Sequence, residues 1–106
     1  MGDPMRVRAL ERGGVTEIKV LMRHDMETGL RKDAAGKLVP AHFIQHFVVR
    51  HKDREVINAQ FGPSISKDPF VGFKFKGGSK GDKISVSWTD NLGDTRTDEV
   101  EISSAT

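Results

Sequence analysis

The stretch that decides the fold is Ile84-Ser85-Val86-Ser87-Trp88-Thr89, near the carboxyl end of the chain. Every second residue in it is apolar, and the residues between them carry small hydroxyl side chains. Successive side chains of an extended strand point to opposite faces, so this pattern gives one apolar face and one polar face. The stretch therefore predicts a β-strand that packs one face on a hydrophobic core.

The same two-residue period recurs along the rest of the chain. The repeats are Val7 and Ala9; Ile18, Val20 and Met22; Ile57, Ala59 and Phe61; Val71, Phe73 and Phe75; and Val100 and Ile102. Segments rich in Gly, Pro, Asn and Asp separate these runs, at residues 11–14, 62–64, 77–79 and 90–94. Residues of these types favour turns, so the runs are predicted to be separate strands.

Residues 43–51 add a further predicted strand. A helical reading would make His42 and His46 neighbours able to share a metal ion, whereas on a strand they lie about 13 Å apart. We favour a strand, because the run is rich in β-branched and aromatic residues and lacks a capping residue before it. Its two faces are then both apolar, with Phe43, Phe47 and Val49 on one side and Ile44 and Val48 on the other.

About seven short strands in 106 residues predict an all-β fold, an immunoglobulin-like β-sandwich of about seven antiparallel strands. A small barrel is the alternative. The length suits one domain, residues 1–106, with a single modest core.

The composition excludes several classes of function. Seventeen Lys and Arg against fifteen Asp and Glu leave a net charge of +2 with the two signs interspersed, which disfavours nucleic acid as a partner. No apolar run approaches the roughly twenty residues that cross a bilayer, so no membrane association is expected. Cysteine is absent, which removes disulfides, thiolate metal sites and a cysteine nucleophile.

One cluster raises the question of metal chemistry. Met22, His24 and Met26 have the spacing of alternate residues on a strand, and thioethers beside an imidazole suit Cu(I), with His42 or His46 in support. The alternative is that Met22 ends a core stripe and the other two lie on the loop beyond it. Asp25 and Glu27 have no nucleophile or oxyanion donor near them in the sequence, so we expect no enzyme and no cofactor.

A binding surface is the remaining interpretation. Apolar residues fall in predicted loops at Met26, Leu30, Ile65 and Phe70, and a contiguous exposed apolar patch usually marks a protein interface. The set predicted to bind a partner protein is Met22, His24, Met26, Glu27, Leu30, Phe43, Phe47, Ile65 and Phe70.

Four stretches of the sequence resemble, in the same order along the chain, segments of a known protein family. They are MRHDMETGLRKD (22–33), LVPAHFI (38–44), GPSISKDPFVGFKFKG (62–77) and GDKISVSWTDNLGD (81–94). In these, and from about Val7 to Ile102 as a whole, the chain resembles the SoxZ family, the non-catalytic half of the SoxYZ carrier complex of bacterial thiosulfate oxidation.

The resemblance implies an immunoglobulin-like sandwich that pairs with a SoxY-like subunit. That subunit bears a cysteine on a flexible C-terminal tail, to which thiosulfate-derived sulfur is covalently attached. The tail visits a haem-containing sulfur transferase, a manganese-dependent thiosulfohydrolase and a sulfane dehydrogenase, so transient contact with these enzymes is expected. SoxZ-like chains carry no sulfur themselves, which agrees with the lack of cysteine here and implies no catalytic residues.

The resemblance also implies a periplasmic location. No signal peptide precedes the first predicted strand, so we expect the chain to be exported already folded against its partner. Whether the isolated chain is a monomer or a homodimer is left open by the sequence.

Overall fold

Residues 2–104 are described by a computed structural model of the chain. In these residues the chain forms eight β-strands in two sheets. The strands are β1 (Arg6–Arg12), β2 (Val15–Leu21), β3 (Ile44–His51), β4 (Arg54–Gln60), β5 (Phe70–Lys76), β6 (Lys83–Asp90), β7 (Thr95–Glu101) and β8 (Ser103–Ser104). One sheet has the order β5-β2-β1-β8 and the other has the order β4-β3-β6-β7.

All neighbouring strands pair antiparallel except β1 and β8, which are parallel. The prediction of an all-β sandwich is thereby confirmed, with the two-residue β8 as an addition to the seven strands expected. Within the described part of the chain, no helix is long and apolar enough to cross a membrane.

The core lies between the two sheets and is built from the alternating residues of the inner strands. Ile84, Val86 and Trp88 of β6 are at most 2% exposed. Across the core, Ile18 and Val20 of β2 are fully buried. Fully burying one such apolar side chain contributes about 1.5–3 kcal/mol, so the inward residues of these two central strands contribute substantially to the stability of the domain.

In β3, one side chain points to the side of the sheet opposite to the one predicted. Ile44 is fully buried together with Phe47 and Val49, although regular alternation would put Ile44 on the opposite side. Ile44 pairs with Asp90, and His46 pairs with the adjacent Thr89. One extra residue, Gln45, is therefore accommodated in a β-bulge, which turns Ile44 back toward the core.

A long connection between β2 and β3 forms a projecting arm, residues 27–42. Isolated bridges join Glu27 to His42 and Lys32 to Leu38, so the two limbs run antiparallel. The described chain is 54 Å along its longest axis, whereas a strand of eight residues spans only about 26 Å. The arm accounts for most of this difference of about 28 Å, because each limb adds roughly 20 Å beyond the end of the sandwich.

The base of the arm depends on two residues in the left-handed region. Met26 has φ of 53°, which turns the chain away from the line of β2. Gly29 has φ of 87°, and a Cβ placed on it would lie 3.2 Å from that of Ala41 on the other limb. A side chain at residue 29 would therefore be strained by both its backbone and its neighbour.

Candidate functional site at the base of the arm

Asp90 is the centre of a buried polar cluster. It is the last residue of β6, and the alternation that buries Ile84, Val86 and Trp88 also directs the Asp90 side chain inward, where it is 0% exposed. Its Oδ1 accepts hydrogen bonds from the backbone amides of Leu92 at 3.0 Å and Asp94 at 2.9 Å. This oxygen thereby shapes the turn between β6 and β7.

The other carboxylate oxygen of Asp90 joins two histidines. Oδ2 lies 3.0 Å from Nε2 of His24 and 2.7 Å from Nε2 of His42. The Nδ1 atom of His24 accepts the backbone N–H of Met26 at 3.0 Å. In a neutral imidazole only one ring nitrogen is protonated, so His24 is the Nε2–H tautomer and donates to Asp90.

The pKa of Asp90 is lowered from the ordinary 3.8. Burial acts in the opposite direction and is the largest influence, because it penalises the charged form. The hydrogen bonds from His24 and His42, with those from the backbone of Asp94 and Leu92, together outweigh it. Asp90 is therefore a carboxylate whose charge the surrounding donors stabilise.

The same three side chains raise the question of a metal centre. One ligand atom from each of His24, His42 and Asp90 lies within 4.8 Å of the others. A metal bound at Nε2 of His24 would need the proton on Nδ1, but Nδ1 faces the N–H of Met26 and accepts from it. The arrangement fits a hydrogen-bonded cluster and does not fit a metal site at His24.

The Cu(I) set considered from the sequence is not assembled either. Met22 is fully buried in the core, and both ring nitrogens of His24 are occupied. The Met26 sulfur accepts the backbone N–H of Ile44 at 3.3 Å. His46 is exposed on β3, outside the cluster.

The cluster fixes several chain segments at one end of the sandwich. Asn91 accepts the N–H of Phe43 at 2.8 Å and donates to the carbonyl of Ala41 at 2.9 Å. Asp68 accepts the N–H of His24 at 3.0 Å, and its own N–H donates back to the His24 carbonyl at 2.9 Å. We call this end, formed by residues 22–24, 41–44, 61–70 and 90–94 with the arm, the arm end.

A polar cleft of about 410 Å³ opens beside the cluster. His42, 34% exposed at its side chain, lines it together with His24 and Trp88. The edge of the His24 ring meets Trp88 with ring centroids 5.1 Å apart. Both signs of charge line the cleft, with the carboxylates in excess: Arg23 and Lys67 against Asp3, Asp25, Asp68 and Asp94.

The structure divides the residues predicted to bind a partner into two groups. Four are covered by the chain itself, namely Met22 at 0% exposed, His24 at 8%, Met26 at 5% and Phe47 at 0%. The expectation that Met26 lies exposed in a loop is wrong, because its left-handed backbone turns the side chain into the core. In this conformation these four residues have almost no surface to offer, and they support the arm end from beneath.

The other five residues have accessible surface. Leu30 is 83% exposed, Phe70 62% and Ile65 37%, as the sequence suggested. Glu27 and Phe43 are half-buried at the base of the arm, where Glu27 pairs with Arg31 at 3.0 Å. That these five contact a partner stays a prediction.

Asp90 is not among the residues identified from the sequence, because residues 90–94 are predicted there only as a turn. A signal was present, because Asp90 continues the inward positions Ile84, Val86 and Trp88 of the most regular strand. A carboxylate at a core position must have partners, and its appearance there indicates a buried polar cluster.

Comparison with known proteins agrees with the resemblance seen in the four sequence stretches. No curated protein matches the chain. Residues 5–101 match the family model described as Sulphur oxidation protein SoxZ, which covers nearly the whole chain and all seven of the longer strands. The chain therefore belongs to the SoxZ family of sulfur oxidation proteins.

Proposed function

We propose that this chain, whose family places its role in sulfur oxidation, is the non-catalytic scaffold subunit of a sulfur carrier. In this role it pairs with a SoxY-like subunit, whose C-terminal cysteine carries thiosulfate-derived sulfur. The composition supports the division of labour, because the 106 residues include no cysteine that could hold sulfur covalently.

The arm end is the proposed contact surface for the SoxY-like subunit. The observation on which this rests is the placement of the large exposed apolar side chains. In the described part of the chain these are Leu30, Leu38, Ile65, Phe70 and Leu92. All lie on the arm or on the connected segments 61–70 and 90–94, and none lies on the far end of the sandwich.

Such a distribution favours a protein interface. Isolated exposed apolar residues are ordinary, but a concentration at one end of a small domain is typical of a surface that is covered in a complex. A stable pair buries about 800 Å² on each partner. An arm that projects roughly 20 Å can wrap a neighbouring sandwich and supply much of that area.

The His24–Asp90–His42 cluster is proposed to position this surface. It ties the base of the arm to the end of β6, so the arm leaves the sandwich in a defined direction. Less conformational freedom then has to be lost when the partner binds, which favours affinity.

The experiment that tests the proposal measures association of the purified chain with the SoxY-like subunit from the same host. Replacing Leu30→Asp together with Leu38→Asp should weaken the dissociation constant by about tenfold or more, since apolar anchors dominate interface energies. The matched control is Thr89→Asp with Thr97→Asp, which adds the same charge at exposed positions of β6 and β7. Equal affinity for both double variants would place the interface away from the arm.

Export follows from the same proposal. We propose that the chain reaches the periplasm folded on its partner. Expression of the chain with and without the SoxY-like subunit, followed by cell fractionation, tests this: the chain should appear in the periplasm only with its partner. Periplasmic chain in cells that lack the partner would contradict it.

A further inference from the structure

One outer face of the molecule is strongly basic. It belongs to the sheet that contains β5, β2 and β1, and its side chains point away from the core. The register aligns Arg8 with Lys19 and Lys19 with Gly72 in one row across the three strands. Six exposed cations occupy outward positions of these strands, namely Arg12 at the end of β1 and Arg6, Arg8, Lys19, Lys74 and Lys76. We call the last five the basic face.

The charges of the basic face are not balanced locally. Among the twelve outward positions of β1, β2 and β5 the one acid is Glu17, so Glu17 and the five cations of the basic face sum to +4 without Arg12. The whole chain carries +2, which leaves the remainder at −2. Within residues 2–104, none of the five cations has a carboxylate oxygen within 4.0 Å.

Folding gains nothing from this arrangement. Arg8 and Lys19 are directly opposite each other, and like charges in that relation destabilise a sheet. The outer face of the other sheet is organised differently. There Lys83 lies opposite Glu101, and Arg50 pairs with Glu55 at 3.1 Å.

Apolar side chains are interleaved with the cations. Leu10, Val15 and Leu21 are half-buried on the same face, and Phe70 is 62% exposed at its margin. A shallow groove of about 380 Å³ runs beside Leu10, Val15 and Lys74. The face therefore offers both charge and apolar contact.

We propose that the basic face is a docking surface that binds an acidic surface of another protein transiently. This inference rests on the proposed function only in taking that protein to be an enzyme that meets the assembled carrier. The outward positions of the three strands number twelve, four from each. Stable interfaces use about 20–30 residues on each side, so an encounter on this face alone is brief.

A protein fits the face better than the other anionic partners. Single-stranded nucleic acid needs several aromatic side chains for stacking, and Phe70 is the aromatic residue on this face. An anionic bilayer would also attract the cations, but stable membrane binding requires inserted apolar groups as well, and Phe70 is the one exposed apolar side chain among the outward positions. A protein surface matches both features, since interfaces combine apolar contacts with arginine and complementary charge.

The test uses the complete pair of this chain with its SoxY-like subunit, and the chain alone if that pair does not form. The probes are the host's purified sulfur transferase, thiosulfohydrolase and sulfane dehydrogenase, with vesicles containing phosphatidylserine and a single-stranded oligonucleotide for comparison. The variant is Arg8→Glu with Lys19→Glu. Its control, Arg54→Glu with Lys83→Glu, changes the net charge equally at exposed positions of the other sheet.

At least one enzyme should bind, and its association rate should fall about tenfold or more between roughly 50 and 300 mM salt because screening weakens the attraction. The Arg8/Lys19 variant should lower that rate by a similar factor and the control by less than about twofold. Circular dichroism verifies that both variants are folded. If the Arg8/Lys19 variant is unfolded, Arg8→Gln with Lys19→Gln replaces it. Three results would overturn the proposal: no enzyme binds, an enzyme binds equally well to both variants and the wild type, or only vesicles or the oligonucleotide bind. Formation of the pair with the SoxY-like subunit is measured separately, so its failure is distinguishable from a failure of this proposal.

Discussion

Asp90 is a carboxylate in a position that the strand pattern assigns to the core, and it is satisfied there by four donors. Two backbone amides bond to Oδ1, and His24 and His42 bond to Oδ2. Removing the charge from such a group leaves its partners without an acceptor of equal strength, which is more damaging than never having formed the cluster.

The first prediction is therefore that Asp90→Asn lowers the free energy of unfolding by about 2–4 kcal/mol. The amide nitrogen would direct a donor at groups that already donate. Urea denaturation measures the change. Asp25→Asn, at an exposed position next to His24, is the control and should change stability by less than about 0.5 kcal/mol; equal effects would contradict a structural role for Asp90.

A second prediction concerns acid. Because the pKa of Asp90 is lower in the folded chain than its ordinary 3.8, its ionisation stabilises the fold fully above that value. This stabilisation is lost as the pH falls through the folded pKa. Asp82, whose hydrogen bond with His51 lowers its pKa, and Asp98, whose pKa is lowered by its hydrogen bond with Arg96, act with the same sign.

The difference between the wild type and Asp90→Asn isolates the contribution of Asp90, since the amide does not titrate. Unfolding free energies measured from pH 6 down to about 2.5 should show a constant difference above roughly pH 4 that narrows below it. A difference that stays constant through this range would mean that Asp90 does not gain stability from its charge.

At the scale of elements, β3 was predicted from its β-branched and aromatic residues, and the other six of the seven longer strands were located by the two-residue period. It worked because each of these strands has one face on the core, which is the condition under which alternation is visible in a sequence. Regular alternation predicted the wrong side of the sheet for Ile44. A bulge depends on how two strands pair, and the sequence around Gln45 has no feature that indicates an extra residue. The arm was not predicted for a related reason. Its limbs are held by isolated bridges and have no apolar face to alternate.

The bulge gives a third prediction. Deleting Gln45 places Ile44 and Phe47 two residues apart, so both keep their inward facing in a regular strand. Gln45 also accepts the N–H of Phe61 through its carbonyl, and we expect a loss of about 1–3 kcal/mol with a cooperative transition retained. Deleting Val48 serves as the comparison, because it reverses the facing of the residues on one side and should abolish cooperative unfolding. Urea denaturation that ranks the two deletions in the opposite order would contradict the bulge.

At the scale of the whole molecule, folding collects on one surface positive charges that are interspersed with negative charges along the sequence. Interspersed signs along the chain indicated a weak field, but the period of a strand directs alternate residues to one side. Arg6 and Arg8 of β1 thereby meet Lys19 of β2 on one surface. The distribution of charge over the surface could not be read from the order of residues without the strand register.

In the proposed carrier, this cysteine-free sandwich holds a sulfur-bearing partner at its arm end. The same division between scaffold and carrier determines where substrate sulfur can be found. Sulfur attached as a persulfide or thiosulfonate adds mass to the chain that bears the cysteine and to no other.

The most direct measurement is mass spectrometry of the chain co-expressed with its SoxY-like subunit and incubated with thiosulfate and the pathway enzymes. Under native conditions we predict a one-to-one complex. After denaturation, the added sulfur mass should lie entirely on the companion, with this chain unchanged at 11.8 kDa. A chain that remains without a companion, or that itself gains the sulfur, would contradict the account.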